Sequence, residues 1–183
     1  MFRDRTVVLA VTGGIAAYKS AAIVRELKAA NAEVLVIMTR EATEFITPLT
    51  LETLSQNPAA VEMFDRENKW DMEHIALADR ADILIVAPAT ANIIGKSVCG
   101  IADDLVSTTI LTMMTTVPVL MAPAMNNRMW DNPFVKNNIA VLRNAGVHFV
   151  GPEEGKLADG RLGMGRMAEV EDILRAAKEV IRK

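Results

Sequence analysis

The chain has 183 residues, 51% of them hydrophobic, and sets 20 Lys and Arg against 23 Asp and Glu for a formal charge of −3. That length supports one sizeable core and favours a single domain over residues 1–183, while scattered cations without a basic stripe exclude nucleic acid as an expected partner. The lone cysteine, Cys99, excludes an intrachain disulfide and a cysteine-built metal cage, and the N-terminal MFRDRTVVLAV lacks a signal peptide's cleavage pattern, so a cytoplasmic, metal-free protein is expected.

In chain order, five short apolar runs read as strands: TVVLAV (6–11), EVLVIM (33–38), DILIVA (82–87), VPVLMA (117–122) and VHFV (147–150). They are continuous rather than alternating, as parallel strands covered on both faces are. Between the first two, Ala17, Ala21, Ile23, Val24, Leu27 and Ala30 recur at three- and four-residue steps, opposite Lys19, Arg25, Glu26 and Lys28, which predicts an amphipathic helix. Further helices are expected around 40–46, 48–56, 73–80, 91–98, 103–113, 132–145 and 169–182. Pro58 and the charged DRENKWDME (65–73) mark the least regular connection, a surface loop before the short helix of His74, in which Ile75, Ala78 and Ala81 face inward.

This alternation predicts an α/β protein with a doubly wound, mostly parallel sheet, a Rossmann-like (flavodoxin-like) three-layer αβα sandwich. Residues 105–127 carry no charge and exceed the roughly 20 residues that span a bilayer. Five threonines, a serine, two prolines and two asparagines argue against insertion; a helix, a turn and a buried strand are expected there, with no membrane partner.

In open α/β sheets, ligands sit beyond the carboxyl ends of the strands, where the strand order reverses. The residues that follow each run are therefore the candidates. In VTGGIAAYK, Thr12, Gly13 and Gly14 lead from strand to helix, either as a plain tight turn or as a cradle of backbone N–H groups for a phosphate; the sequence is neither GxGxxG nor a P-loop. Thr39-Arg40 ends the second strand where an NAD site usually places an acid, which disfavours NAD; Thr39 is either a helix cap or a hydroxyl for a phosphate.

In APATANIIGKSVCGIADD, Thr90 and Asn92 stand at a strand-to-helix junction, with Asn92 suited either to a cap or to the edge of a heterocycle. Asp103 reads as a cap and Cys99 as a small buried hydrophobe. His74 is either a surface or core residue or a general acid/base; His148 reads as structural. In PAMNNRMW the amides of Asn126 and Asn127 follow a buried strand directly, where a ligand carboxylate or carbonyl needs donors. The methionines around them, Met113, Met114, Met121, Met125 and Met129, read mainly as core gap-fillers. The stretch 155–166 holds four glycines and two arginines, and is read as a flexible lid or a plain surface connection.

Taken in order, TGGIAAYK, MEHIALADRADILIVAPATANIIGK, GIADDLVST, PAMNNRMW and GKLADGRLGMGRM resemble the homo-oligomeric flavin-containing cysteine decarboxylases over nearly the whole chain. PAMN-x-x-MW with the upstream histidine is specific to that family. The resemblance implies FMN held by Gly13, Gly14 and Ile15, by Thr39 and Arg40, by Thr90, Ala91 and Asn92, and by the backbone near Ala124, with Asp104 close by. It implies that His74 faces the flavin across a subunit boundary, that Asn126 binds the substrate carboxylate, and that Met129 and Arg166 contact the substrate. Homotrimers, often built into dodecamers, are implied as well.

The implied activity is decarboxylation of phosphopantothenoylcysteine to 4'-phosphopantetheine on the route to coenzyme A. The thiolate gives a hydride equivalent to FMN, and the resulting thioaldehyde is an electron sink for loss of carbon dioxide, leaving an enethiolate. A separate phosphopantothenoylcysteine synthetase is a possible partner. Relatives with a reductive second half-reaction carry a cysteine in an LACG loop; this chain reads Leu157-Ala158-Asp159-Gly160. Asp159 takes over as proton donor if burial raises its pKa. Otherwise the reaction stops at the enethiol, as in relatives that act on a peptide's C-terminal cysteine. A non-catalytic FMN-binding regulatory protein is the third reading.

Overall fold

The structure, a computed structural model, describes residues 2–63, 73–156, 158 and 160–182. Its strands and helices follow in the order β1 (Thr6–Val11), α1 (Lys19–Ala29), β2 (Glu33–Met38), α2 (Pro48–Ser55), β3 (Ala59–Ala60), α3 (Glu73–Arg80) and β4 (Ile83–Ala89). After them come α4 (Ala91–Cys99), α5 (Leu105–Met113), β5 (Val119–Pro123), α6 (Asn127–Trp130), α7 (Pro133–Asn144), β6 (His148–Phe149), β7 (Glu153–Lys156), β8 (Leu162–Arg166) and α8 (Val170–Ile181). One sheet has the order β3-β2-β1-β4-β5-β6 with every pair parallel; β7 and β8 form a separate antiparallel hairpin.

Successive strand residues point to opposite faces, and here both faces are covered. Val7, Leu9 and Val11 of β1 join Ile23, Val24 and Leu27 of α1, Leu51 of α2 and Ile173 and Ala177 of α8 in one core. Val8 and Ala10 join Leu77 of α3, Ile93 and Ile94 of α4, Val106 and Ile110 of α5 and Ile139 of α7 in the other. The αβα sandwich follows, and so does the unbroken apolar spelling of the strands. Side-chain caps set several helix starts: Thr47 and Asn132 stand before Pro48 and Pro133, which suit the first helical position, and Asp104 forms a capping box with Ser107.

Several sequence expectations change. Segment 40–46 is a 3-10 turn over Arg40–Glu44, and of VHFV only His148 and Phe149 join the ladder. The glycine-rich stretch expected as a lid or connection contributes to both strands of the β7–β8 hairpin. Asp104 rather than Asp103 caps α5; Asp103 meets Lys96 at 2.6 Å, and that hydrogen bond lowers its pKa against a smaller desolvation effect. In α3, Leu77 is buried while Ile75 is exposed. Cys99 is exposed, because it ends α4 just before Gly100 turns the chain away with φ of +66°. Apart from Glu73, segment 65–73 lies outside the described residues. Among the described residues no helix is long and apolar enough to cross a membrane.

Candidate functional site

The strand order reverses between β1 and β4, so the chain leaves these neighbours in opposite lateral directions and opens a crevice beyond their carboxyl ends. A cleft of about 930 Å³ lies there. Its floor is stitched by two threonines. The buried Thr12 hydroxyl donates to the Pro88 carbonyl at 2.7 Å, and the N–H of Thr90 donates back to Thr12 Oγ1 at 3.3 Å. Thr90 also caps α4, accepting the Ile93 N–H at 3.4 Å, and the first turn of that helix, Ala91 and Asn92, lines the cleft.

Gly13 and Gly14 form the near wall. A Cβ on Gly13 would lie 2.4 Å from that of Glu41, so only glycine fits against the segment after β2. A Cβ on Gly14 would meet nothing closer than Thr90 Cγ2 at 3.6 Å, an ordinary contact. The protein's own packing does not need glycine there; its bare backbone leaves room for a close-approaching group. Ile15 follows, 60% exposed at the mouth. Thr39 lines the cleft and caps the 3-10 turn, accepting the Ala42 N–H at 3.3 Å.

The far wall comes from the end of β5: Ala124, Met125, Asn126 and, from α6, Met129. Asn126 is the cap of α6, its Oδ1 accepting the Arg128 N–H at 2.9 Å. The amides therefore have a local reason to follow the strand, besides any ligand, and that bond also fixes how the Asn126 amide is turned. Of the methionines expected as core fillers, Met113 and Met121 are buried, whereas Met125 and Met129 line the cleft.

The hairpin closes one side. The Met125 N–H donates to the Gly165 carbonyl at 3.0 Å. Gly165 has φ of +145°, and a Cβ on it would fall 2.1 Å from the Met125 carbonyl oxygen. A Cβ on Gly163 would press the Asn127 side chain at 3.2 Å. Glycines that spell flexibility are instead the condition for close contact. Arg166 lines the cleft, with its guanidinium between Glu153 at 2.9 Å and Glu169 at 3.0 Å. Glu169 also meets Lys19 at 3.0 Å. Its carboxyl is held below the usual range by the hydrogen bond from Lys19 first, then by the charges of Lys19 and Arg166, against a desolvation effect of the opposite sign.

Of the residues that the sequence marks as candidates, Gly13, Gly14, Ile15, Thr39, Thr90, Ala91, Asn92, Ala124, Asn126, Met129 and Arg166 share this cleft. Arg40 and Asp104 do not line it: Arg40 pairs with Glu62 at 2.7 Å, and Asp104 with Lys96 at 2.6 Å. His74 belongs to α3, but its side chain, like the whole of Asp159, lies outside the described part. Tyr18, Lys19, Glu41, Lys156, Met167 and Glu169 also line the cleft, although the sequence singles out none of them individually as a site residue. Lys19 stands within GGIAAYK but spells the polar face of a helix, and no local signal sets Glu169 apart. The described residues hold no cluster of metal-ligating side chains.

The family model described as Flavoprotein matches residues 1–182. The chain is 48% identical to the coenzyme A biosynthesis bifunctional protein CoaBC of Bacillus subtilis (strain 168), over 98% of this chain and 44% of that protein. It is 38% identical to the probable phosphopantothenoylcysteine decarboxylase of Streptococcus mutans serotype c, over 96% of this chain and 98% of that one. Among solved structures, a mutant PPC decarboxylase complexed with pantothenoylaminoethenethiol superposes with a TM-score of 0.87 at 30% identity, over 99% of this chain and 100% of the other. The chain thus spans less than half the length of the bifunctional relative. A match from the first residue to the last but one, together with a glycine-walled cleft at the strand-order reversal, places the chain in the Flavoprotein family.

Proposed function

We propose that this chain binds FMN in the cleft and decarboxylates phosphopantothenoylcysteine to 4'-phosphopantetheine. The observation that carries the reading is that the glycine turn, the capped start of α4 and the oriented Asn126 amide converge on one cleft, where packing gives Gly14 no reason to be bare. Its volume falls within the roughly 300–1,000 Å³ typical of cofactor sites, and its lining mixes apolar walls with a few fixed polar groups. The donor set fits a flavin mononucleotide. The bare backbone at Gly14 suits a phosphate, Thr39 and Thr90 supply hydroxyls, Asn92 suits a ring edge, and Ile15, Ala91 and Ala124 suit a flat apolar body.

Bound FMN supplies the two-electron oxidant for the substrate thiolate. The rest falls to the chain's own side chains. Asn126, locked by its cap bond, presents its amide to the departing carboxylate and discriminates against a carboxylate turned elsewhere. Met125 and Met129 wall that end with apolar surface beside the fixed dipole of the Asn126 amide, the group that meets charge developing on the substrate. His74 is assigned to the catalytic step across a subunit boundary in a homotrimer or a dodecamer built from four trimers, and Ile15 and Tyr18, each 60% exposed at the mouth, suit such a neighbour.

Anaerobic mixing of the yellow protein with phosphopantothenoylcysteine tests this. Flavin absorbance should bleach and recover as one carbon dioxide is released per substrate; a spectrum that never changes, with no carbon dioxide, rejects the proposal. One observation favours a second reading: the LADG stretch lacks the cysteine of the reductive half-reaction, and Cys99 is placed elsewhere, at the end of α4. Flavin that bleaches and stays reduced indicates an oxidative decarboxylase that stops at the enethiol.

A further inference from the structure

Glu169 occupies the cap position of α8, with φ of −68° and ψ of 154°, yet its side chain makes no capping bond. At that position the short carboxylate of Asp accepts an N–H two or three residues on, whereas the longer Glu is not a preferred cap. Here both oxygens go elsewhere: Oε2 accepts Lys19 Nζ at 3.0 Å, across 150 positions of sequence, and Oε1 pairs with Arg166 Nη1 at 3.0 Å. Arg166 in turn donates to Glu153, its register partner on β7, at 2.9 Å. Its stem lies across Gly155, where a Cβ would be 2.9 Å from Nε. Glu153 closes the ring by accepting the Glu169 N–H at 3.3 Å. Lys19 is only 13% exposed at its side chain and also donates to the Met167 carbonyl at 3.4 Å.

An isolated exposed ion pair adds little, because screening and side-chain entropy offset it. This arrangement differs in that each group serves two partners and the four belong to four places: the start of α1, both strands of the hairpin, and the start of α8. Lys19 stands five residues beyond Gly14. The geometry points to Glu169 as a positioning residue that ties the β7–β8 hairpin to the glycine turn through Lys19 and Arg166, and so sets the hairpin's seat beside the cleft. On this account Arg166 is a strap neutralised by two carboxylates, not an open receptor for a substrate anion. Only the kinetic part of the inference rests on the decarboxylase reading.

The test compares Glu169→Gln and Glu169→Asp with the wild type, all as flavin-loaded full chains. Asp is a strong local cap, so Glu169→Asp should turn its carboxylate to the α8 N–H groups, releasing both cations while keeping or raising the melting temperature. In both variants hydrogen exchange at the amides of 153–156 and 162–166 should accelerate about tenfold with β1 and β4 unchanged. The KM for phosphopantothenoylcysteine should rise about tenfold, with kcat falling less than threefold. Unchanged hairpin exchange in the Asp variant overturns the inference, as does faster exchange with an unaltered KM. If the wild type proves to release no carbon dioxide, the decarboxylase reading fails separately and the exchange result decides alone.

Discussion

At Gly13 the backbone passes so close to Glu41 that a methyl group has nowhere to go, whereas at Gly14 a methyl group would be in ordinary contact. Gly13→Ala should therefore cost about 1–3 kcal/mol, the usual range for overpacking, and lower the melting temperature of the flavin-free protein by about 2–4 °C per kcal/mol. Gly14→Ala should change that stability by about 0.5 kcal/mol or less while reducing the flavin retained on purification. Equal melting losses for the two would contradict the division of labour between them. Asn126→Asp keeps a good cap for α6, so fold and flavin content should hold. The new negative charge should repel the substrate carboxylate and abolish flavin bleaching on substrate addition; bleaching at the wild-type rate would remove Asn126 from substrate binding.

Among the elements, α5 offers a control for the cleft. Asp104 caps it and binds Lys96, away from the cleft lining, so Asp104→Ala should lose about 0.5–2 kcal/mol of stability and leave flavin content unchanged. A colourless Asp104→Ala protein would return Asp104 to the cofactor. For the hairpin, acid is informative. Glu169 has a depressed folded-state pKa, so its contribution is present above the ordinary glutamate value of about 4.3 and is lost as pH falls through the lower folded value. Wild-type melting temperature should fall more steeply below about pH 4 than that of Glu169→Gln. The four longer strands of the parallel sheet are legible in sequence because two-sided burial writes them as unbroken apolar runs. The hairpin is not: Gly155, Gly163 and Gly165 spell a loop, and only the approach of Arg166, Asn127 and Met125 explains them. Two-residue β3 carries no periodicity to read, and the 3-10 turn at Arg40 differs from an α-helix only in its closing bonds.

For the whole molecule, the order of strands decides where chemistry can happen, and alternating strands and helices put that order within reach of the sequence. The participants on the cleft's rim are less accessible. In sequence Thr39 is open between cap and ligand contact and Asn126 reads as a ligand donor alone; in the structure Thr39, Thr90 and Asn126 are each a cap that also lines the cleft, so local pattern does not separate the two roles. Lys19 and Glu169 meet across the fold, and no local pattern pairs them. If the site is completed by neighbouring copies, as proposed, light scattering of the purified protein should give a mass that is a multiple of three 19.9 kDa chains. A monomer that turns over at full rate would contradict the shared site.

The stitched floor has one more consequence. Because the Thr12 hydroxyl is already tied to Pro88 and to the Thr90 backbone, the receptive shape is made when the chain folds rather than when a guest arrives. Little ordering entropy is then left to lose on docking, so uptake at this floor is paced by encounter at the mouth, not by rearrangement beneath it.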